Sequence, residues 1–329
     1  MSKLSLGGED MEKSKVVIIG TGFVGMSYAY ALVNQGAVEE IVLIDIDQRK
    51  SEGEAMDLNH GLAFAPRKMS IKSGTYADVE DAGLVVITAG SNQKEGETRL
   101  ELLARNASIM KNIVHEVMAN HFSGIMLIAS NPVDILTYIA YKESGLPSSR
   151  VIGSGTSLDS ARLRYEISQY IDIDVRNIHA YMMGEHGDSE FVCWSNANVG
   201  GKPFKDVLES MHQIKFEDLE AIASKVKQAA YEIIARKKAT YYGIGMALVR
   251  ITMAIFNNEN RILPISVYND GVYSCEKDVY IGLPAVLNRQ GVHHVVKLKL
   301  DIHEEAKLAI SARILKTNLN QIEQAKKGS

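Results

Sequence analysis

The stretch Gly20-Thr21-Gly22-Phe23-Val24-Gly25 narrows the choice of folds more than any other part of this chain. It follows Lys15-Val16-Val17-Ile18-Ile19, a short apolar run rich in β-branched residues, and precedes a helical pattern that stops at Gly36. Met26, Ala29, Tyr30 and Val33 are expected on the inward side of that helix. A second apolar run, Ile41-Val42-Leu43-Ile44, ends in Asp45, about 20 positions after the last glycine. Strand, glycine turn, helix and strand-end acid together predict a βαβ unit that binds a dinucleotide. In that unit Gly20 permits the tight turn, Gly22 lets a pyrophosphate approach the backbone, and Gly25 lets the helix pack close to the strand. The helix N-terminus adds positive potential. Asp45 can accept hydrogen bonds from the adenosine ribose hydroxyls and would repel a 2′-phosphate, so the expected cofactor is NAD.

The alternation continues through Met69-Ser70-Ile71-Lys72, Leu84-Val85-Val86-Ile87-Thr88, Ile125-Met126-Leu127-Ile128-Ala129 and Val151-Ile152, with helical patterns between. This predicts an α/β fold, a Rossmann-type doubly wound parallel sheet. Ligands bind beyond the carboxyl ends of such strands. Three segments there merit scrutiny: Gly90 to Arg99, Ser130 to Asp134 and Gly153 to Arg162. The first is polar and glycine-flanked and has the character of a lid. A long amphipathic helix follows it, with Leu103, Met110, Ile113 and Val117 inward.

A second focus is Tyr181-Met182-Met183-Gly184-Glu185-His186-Gly187-Asp188, a single imidazole between glycines at the end of an apolar run. Such a run predicts a strand ending at a bend, with His186 projecting into a cleft. Imidazole titrates near neutral pH and can give and take a proton. Alone it would be no more than a surface histidine beside a turn. Its counterparts lie in Gly155-Thr156-Ser157-Leu158-Asp159-Ser160-Ala161-Arg162-Leu163-Arg164, where three-residue spacing puts Asp159 and Arg162 on one helical face. Arg164 lies about 200° round from Arg162.

Composition excludes several classes. The chain has 329 residues, 46% hydrophobic, with a net charge of -4, and Arg236-Lys237-Lys238 is too short for a nucleic-acid footprint. No apolar run is long enough to span a bilayer, and the polar leader, residues 1–14, lacks a signal-peptide core. A cytoplasmic protein is expected, with no membrane partner. Cys193 and Cys275 are expected to be reduced thiols. Neither they nor His293, His294 and His303 show the ligand spacing of a zinc site, so no metal is expected.

Taken together, the glycine turn, the lid, Ser130-Asn131-Pro132-Val133-Asp134, the Asp159/Arg162 helix and Gly184-Glu185-His186-Gly187 closely resemble the L-lactate dehydrogenases, the bacterial lactate branch of the lactate/malate dehydrogenase family. The resemblance runs from about Lys15 to near the C-terminus. It implies reversible hydride transfer between NADH and pyruvate, giving (S)-lactate, in fermentative glycolysis. By the same resemblance His186 is the acid/base, Asp159 fixes its tautomer, Arg162 grips the substrate carboxylate and Arg99 on the lid polarises the carbonyl. Asn131 bonds the substrate oxygen, and Thr240 and Ile244 line the pocket and the nicotinamide face. The implied cofactor contacts are Gly20, Gly22, Phe23, Val24, Gly25, Asp45, Thr88, Ala89, Gly90, Asn131 and Ile244. Gln93 stands where malate members carry arginine, so a second substrate carboxylate would be buried unpaired. Arg164 and His179 match positions that bind fructose 1,6-bisphosphate between subunits of allosteric members; plain structural hydrogen bonding is the equal alternative. A homotetramer is implied. Departures are Phe191 and Val192, Lys238 in place of a usual glycine, and Glu95 in place of proline.

After His186 the pattern becomes irregular: helices from Phe216 to about Arg236 and Tyr241 to Phe256, strands over Arg261 to Tyr268 and Gly282 to Leu298, and a last helix opening at Asp301. Its inward residues are expected to be Ala306, Leu308, Ile310 and Ile314. The expected division is a flexible leader, 1–14, an NAD-binding domain, 15–153, and a mixed α/β substrate domain, 154–329, whose antiparallel ribbons pack against the cofactor platform around one continuous core. Alternatives are a malate or other 2-hydroxy-acid dehydrogenase, an NAD-dependent glycosidase, whose metal-binding Cys/His residues cannot be placed here, and a non-catalytic NAD-binding protein.

Overall fold

The structure, a computed structural model, describes residues 14–91, 96, 98–211 and 216–327. The first half runs β1 (Lys15–Ile19), α1 (Phe23–Gln35), β2 (Glu40–Ile44), α2 (Gln48–Gly61), β3 (Ser70–Ser73), β4 (Leu84–Ile87), α3 (Arg99–Ala119), β5 (Ile125–Ile128), α4 (Val133–Ser144) and β6 (Val151–Gly153). These six strands are parallel neighbours in the order β3-β2-β1-β4-β5-β6. β1, β4 and β5 are buried throughout, which is why they read as unbroken apolar runs: helices cover both faces of such a sheet. The order reverses between β1 and β4, so the crevice outside their carboxyl ends is the place for a dinucleotide.

The second half continues with α5 (Ser157–Ile171), β7 (Ile178–His179), β8 (Met182–Met183), β9 (Phe191–Val192), β10 (Asn198–Val199), β11 (Lys202–Pro203), α6 (Phe204–Met211), α7 (Phe216–Lys237), α8 (Tyr242–Phe256), β12 (Arg261–Asn269), β13 (Val279–Asn288), β14 (Gly291–Val295) and α9 (Ile302–Lys327). Here the structure corrects the expected assembly. The β12-β13-β14 meander does not pack on the platform as a separate ribbon. It extends the parallel sheet edge to edge, Ser266 of β12 pairing antiparallel with Gly153 of β6. One apolar core consequently spans both halves, from Val16 to Ile322. A second, smaller core lies among α5, α7 and the short strands, around Leu163, Ile167, Met182 and Ile222.

Two helix faces also differ from expectation. In α1 the buried aromatic is Tyr28, not Tyr30, which is exposed, and Met26 is only half-buried. The reason is α8, which lies so close that a Cβ on Gly245 would come within 3.0 Å of the Ser27 carbonyl oxygen. The Tyr28 hydroxyl meets Thr252 of α8 at 2.6 Å. In α9 the buried residues are Leu308, Ala312, Leu315, Leu319 and Ile322, while Ala306, Ile310 and Ile314 are exposed. The helix is turned to bring the polar Glu304 and Ser311 inward, where they bond Ser195 and the His186 loop. In α3, by contrast, Leu103, Met110, Ile113 and Val117 are buried as expected.

Candidate active site

The glycine turn joins the end of β1 to α1. Gly20 has φ +105°, and a Cβ there would come within 2.6 Å of the Ala89 nitrogen; on Gly25 it would lie 2.0 Å from the Gly20 carbonyl oxygen. Both positions therefore exclude a side chain. Gly22 is different: no heavy atom lies within 4 Å of the corresponding point, and α1 starts without a side-chain cap. That combination leaves space for a phosphate against a helix N-terminus, as a dinucleotide requires. The Thr88 hydroxyl donates to the Gly20 carbonyl at 2.8 Å, tying the end of β4 to the turn, and the Ser130 hydroxyl donates to the Ala89 carbonyl at 2.5 Å, tying the end of β5 to that of β4.

Asp45 ends β2 facing the turn. Its Oδ2 accepts from both the backbone and the hydroxyl of Thr21 at 2.7 Å, and Oδ1 from the Asp47 amide at 3.0 Å. Burial works against its charge, but the Thr21 bonds outweigh it and hold the carboxyl below its ordinary range. An anionic Asp45 facing the glycine turn is thus built in. Phe23, largely exposed at the mouth of the turn, stacks on Tyr241, 5.1 Å between ring centroids, and links the cofactor platform to the segment that carries Thr240 and Ile244.

The His186 loop is held from several sides. Gly184, at φ +100°, forms an isolated bridge with Gly282 of β13, and the Glu185 amide donates to Ser311 of α9 at 2.6 Å. The His186 amide donates to Asp134 Oδ2 of α4 at 2.8 Å, and Asp134 Oδ1 accepts from the Ser266 hydroxyl of β12. Burial pushes the Asp134 carboxyl up to about 6. The imidazole Nδ1 meets Asp159 Oδ2 of α5 at 2.7 Å, while Arg162 donates to Asp159 Oδ1 at 2.8 Å. One buried carboxylate therefore holds the imidazole with one oxygen and the guanidinium with the other. Burial opposes charge on both Asp159 and His186. Their mutual attraction nevertheless keeps Asp159 below its ordinary range and pushes His186 up to about 9. The ring remains 27% exposed, so Nε2 can serve a ligand while Asp159 fixes Nδ1.

Two profiles of one family match the chain: the lactate/malate dehydrogenase NAD binding domain over residues 14–153, and the lactate/malate dehydrogenase alpha/beta C-terminal domain over 156–326. The chain belongs to the lactate/malate dehydrogenase family. It is 55% identical over 306 residues to an L-lactate dehydrogenase 2 of Bacillus cereus, covering 93% of this chain and 97% of that one. Against L-lactate dehydrogenase of Geobacillus thermodenitrificans the identity is 54%, with 92% and 95% covered. A crystal structure of a lactate dehydrogenase from a Medee basin deep-sea metagenome library superposes with a TM-score of 0.94 at 73% identity, covering 95% of this chain and all of that one. The ligands-bound minor L-lactate dehydrogenase of Enterococcus mundtii gives 0.91 at 51%, with 94% and 98% covered.

Other expected positions of this lactate/malate dehydrogenase chain fall as follows. Asn131, exposed at the end of β5, accepts on its carbonyl from Asn106, and Thr240 and Ile244 are half-buried around the start of α8. Gln93 and Glu95 lie outside the described residues. Arg99 opens α3 behind a Thr98/Glu101 capping box; its side chain lies outside what is described. Arg164 donates to the Ser160 carbonyl at 3.2 Å and lies near Tyr181 and Arg261, whereas the exposed His179 lines a cavity of about 330 Å³ with Tyr181, Asn198 and Ile262. A larger cavity, about 520 Å³, lies between Cys275 to Asp278 and α9 and is lined by neither His186 nor Asp159. Among the departures, Phe191 and Val192 are buried in β9, and Lys238 has φ +73°, the left-handed conformation that suits glycine after a helix. Sequence reasoning missed Asp134, Ser311 and Gly282. Their partners are 52, 126 and 98 positions away, and only Asp134 carried a local signal, as a carboxylate just after a strand end.

Proposed function

We propose that this chain is an NAD-dependent L-lactate dehydrogenase that reversibly reduces pyruvate to (S)-lactate. The observation that carries the reading is Asp159 shared between His186 and Arg162 at the carboxyl edge of a dinucleotide-binding sheet. Nicotinamide, when bound, supplies the hydride and takes it back. His186 protonates the keto oxygen from Nε2 and recovers the proton from lactate. Asp159 holds the ring in the productive tautomer and favours the imidazolium. Arg162 keeps guanidinium nitrogens free of Asp159 for the substrate carboxylate, in a forked geometry that lysine lacks. Arg99, brought in by the lid, stabilises charge on the carbonyl oxygen, and Asn131 and Thr240 orient the substrate. Gly20, Gly22, Phe23, Val24, Gly25, Asp45, Thr88, Ala89, Gly90 and Ile244 hold NAD.

The same reading takes residues 15–153 as the NAD-binding domain and 154–329 as the substrate domain. Ser14, counted with the leader, already pairs with Glu39 and Glu40 at the start of β2. The protein works as a cytoplasmic homotetramer, with Arg164 and His179 binding fructose 1,6-bisphosphate between subunits; the Arg261 charge near Arg164 supports an anion there. NADH absorbance with pyruvate, then with oxaloacetate, tests the activity: rapid oxidation with pyruvate is expected, and none with either acid overturns the reading. The bisphosphate should sharpen pyruvate saturation, and an unchanged curve removes the regulatory claim. Gln93→Arg should shift relative kcat/KM toward oxaloacetate by ~10-fold or more, since a buried unpaired carboxylate costs roughly several kcal/mol.

A further inference from the structure

Glu190 directly precedes β9 and takes no part in the chemistry above, yet it is only 4% exposed. Its Oε2 is buried and has no hydrogen-bond partner among the described residues. A Glu190 oxygen, an Asp159 oxygen and a ring nitrogen of His186 all lie within 4.8 Å of one another. A dry carboxylate beside another carboxylate is costly unless something compensates for its charge. A bound cation is one way to compensate, but Arg162 already stands on Asp159 and the imidazole occupies the other Asp159 oxygen. The groups that act on Glu190 are Asp159 and Arg162 from α5, His186 from its own loop and Lys227 from α7; Asp134 from α4 and Glu185 act on His186 in turn.

We infer that Glu190 is a positioning residue for the acid/base pair, a buried carboxyl whose ionisation decides how far into the alkaline range His186 keeps its proton. Burial and the Asp159 charge push Glu190 above the ordinary carboxylate range, while His186, Lys227 and Arg162 pull it back. Around neutral pH a protonated Glu190 adds no second negative charge beside Asp159. As pH rises it ionises while the imidazolium is still present, and the new charge then retains the His186 proton. Glu190 thereby extends the pH range over which keto-acid reduction has a proton to use.

This inference rests on the proposed activity, and the test separates the two. The pH profile of kcat/KM for pyruvate reduction is measured for the full-length chain, for Glu190→Gln and for Glu190→Asp, with thermal melts to show that each variant is folded. An amide imitates only the protonated carboxyl, so the alkaline limb of the Gln variant should move down by about one pH unit. The Asp variant, which keeps an ionisable group, should recover part of that shift. In the unsubstituted protein the His186 ring, followed by NMR, should titrate in two inflections, because two coupled groups are involved. Superimposable limbs, equal displacement of both variants or a single-step titration of His186 overturns the role of Glu190. Absence of pyruvate-dependent NADH oxidation in the unsubstituted protein overturns instead the activity on which it rests.

Discussion

Gly20 to Gly25 make their contacts with the strand before them, the helix after them and the ends of β2 and β4, whereas Gly184 to His186 are fastened to α4, α5, β13 and α9. Both regions have to place polar groups within a few tenths of an ångström for a ligand. The first does so with a contiguous backbone turn that admits no side chain at two positions. The second depends on partners that reach it only after the whole chain has folded. A contiguous device should fail by local displacement, and an assembled one by losing its proton chemistry while the fold survives.

Replacing His186 by Gln tests the assembled device most severely. The expected loss in kcat is ~10³-fold, the scale of a positioned general acid, with the backbone bonds to Asp134 and Ser311 retained and little change in NADH binding. The variant should also reveal a linkage effect. The His186 pKa is raised to about 9 in the folded protein from 6.5. The stability it contributes is therefore fully present below about pH 6.5 and lost as pH rises through about 9. Denaturation midpoints measured across that window should fall in the parent and flatten in the variant. Equal slopes would mean that the Asp159 bond does not hold the proton.

Gly25→Ala probes the contiguous device. Its methyl group would sit 2.0 Å from the Gly20 carbonyl oxygen, so the turn must move. NADH affinity should weaken by ~10–100-fold, a penalty on the scale of an ångström of misplacement, and titration of NADH fluorescence reads it directly. Unchanged affinity would show that the turn is less closely constrained than the comparison requires. The smallest effect is expected at Lys238, where a non-glycine residue adopts φ +73° between α7 and the Thr240 segment. Lys238→Gly should raise stability by ~1 kcal/mol, seen as a higher melting temperature. A decrease would mean that side-chain contacts of the lysine offset the strain of its conformation.

The cofactor half was legible in the sequence because its signals are local: buried parallel strands read as apolar runs, and the acid sits one strand beyond its turn. Asp159 and Arg162 were legible as a pair through helical spacing. The contact of Asp159 with His186 followed only from the family resemblance, because nothing in residues 155–164 encodes what lies opposite that face, and the division of its two oxygens between ring and guanidinium emerged only in the structure. The helix faces misjudged in α1 and α9 have the same origin. Tyr28 rather than Tyr30 is buried because α8 arrives at Gly245, and α9 turns Ser311 inward to reach Glu185.

By itself the sequence determined the order of the parallel strands, the glycine turn with the acid that ends the second strand, and the pairing of Asp159 with Arg162 on one helical face. Tertiary structure alone decided that the β12-β13-β14 meander joins the parallel sheet, that Asp134 and Ser311 anchor the His186 loop, and that Glu190 is buried against Asp159 and His186. The division follows from range. Backbone conformation and periodicity are set by neighbours along the chain, while the burial and charge environment of a carboxyl depend on residues that meet it only when distant elements pack.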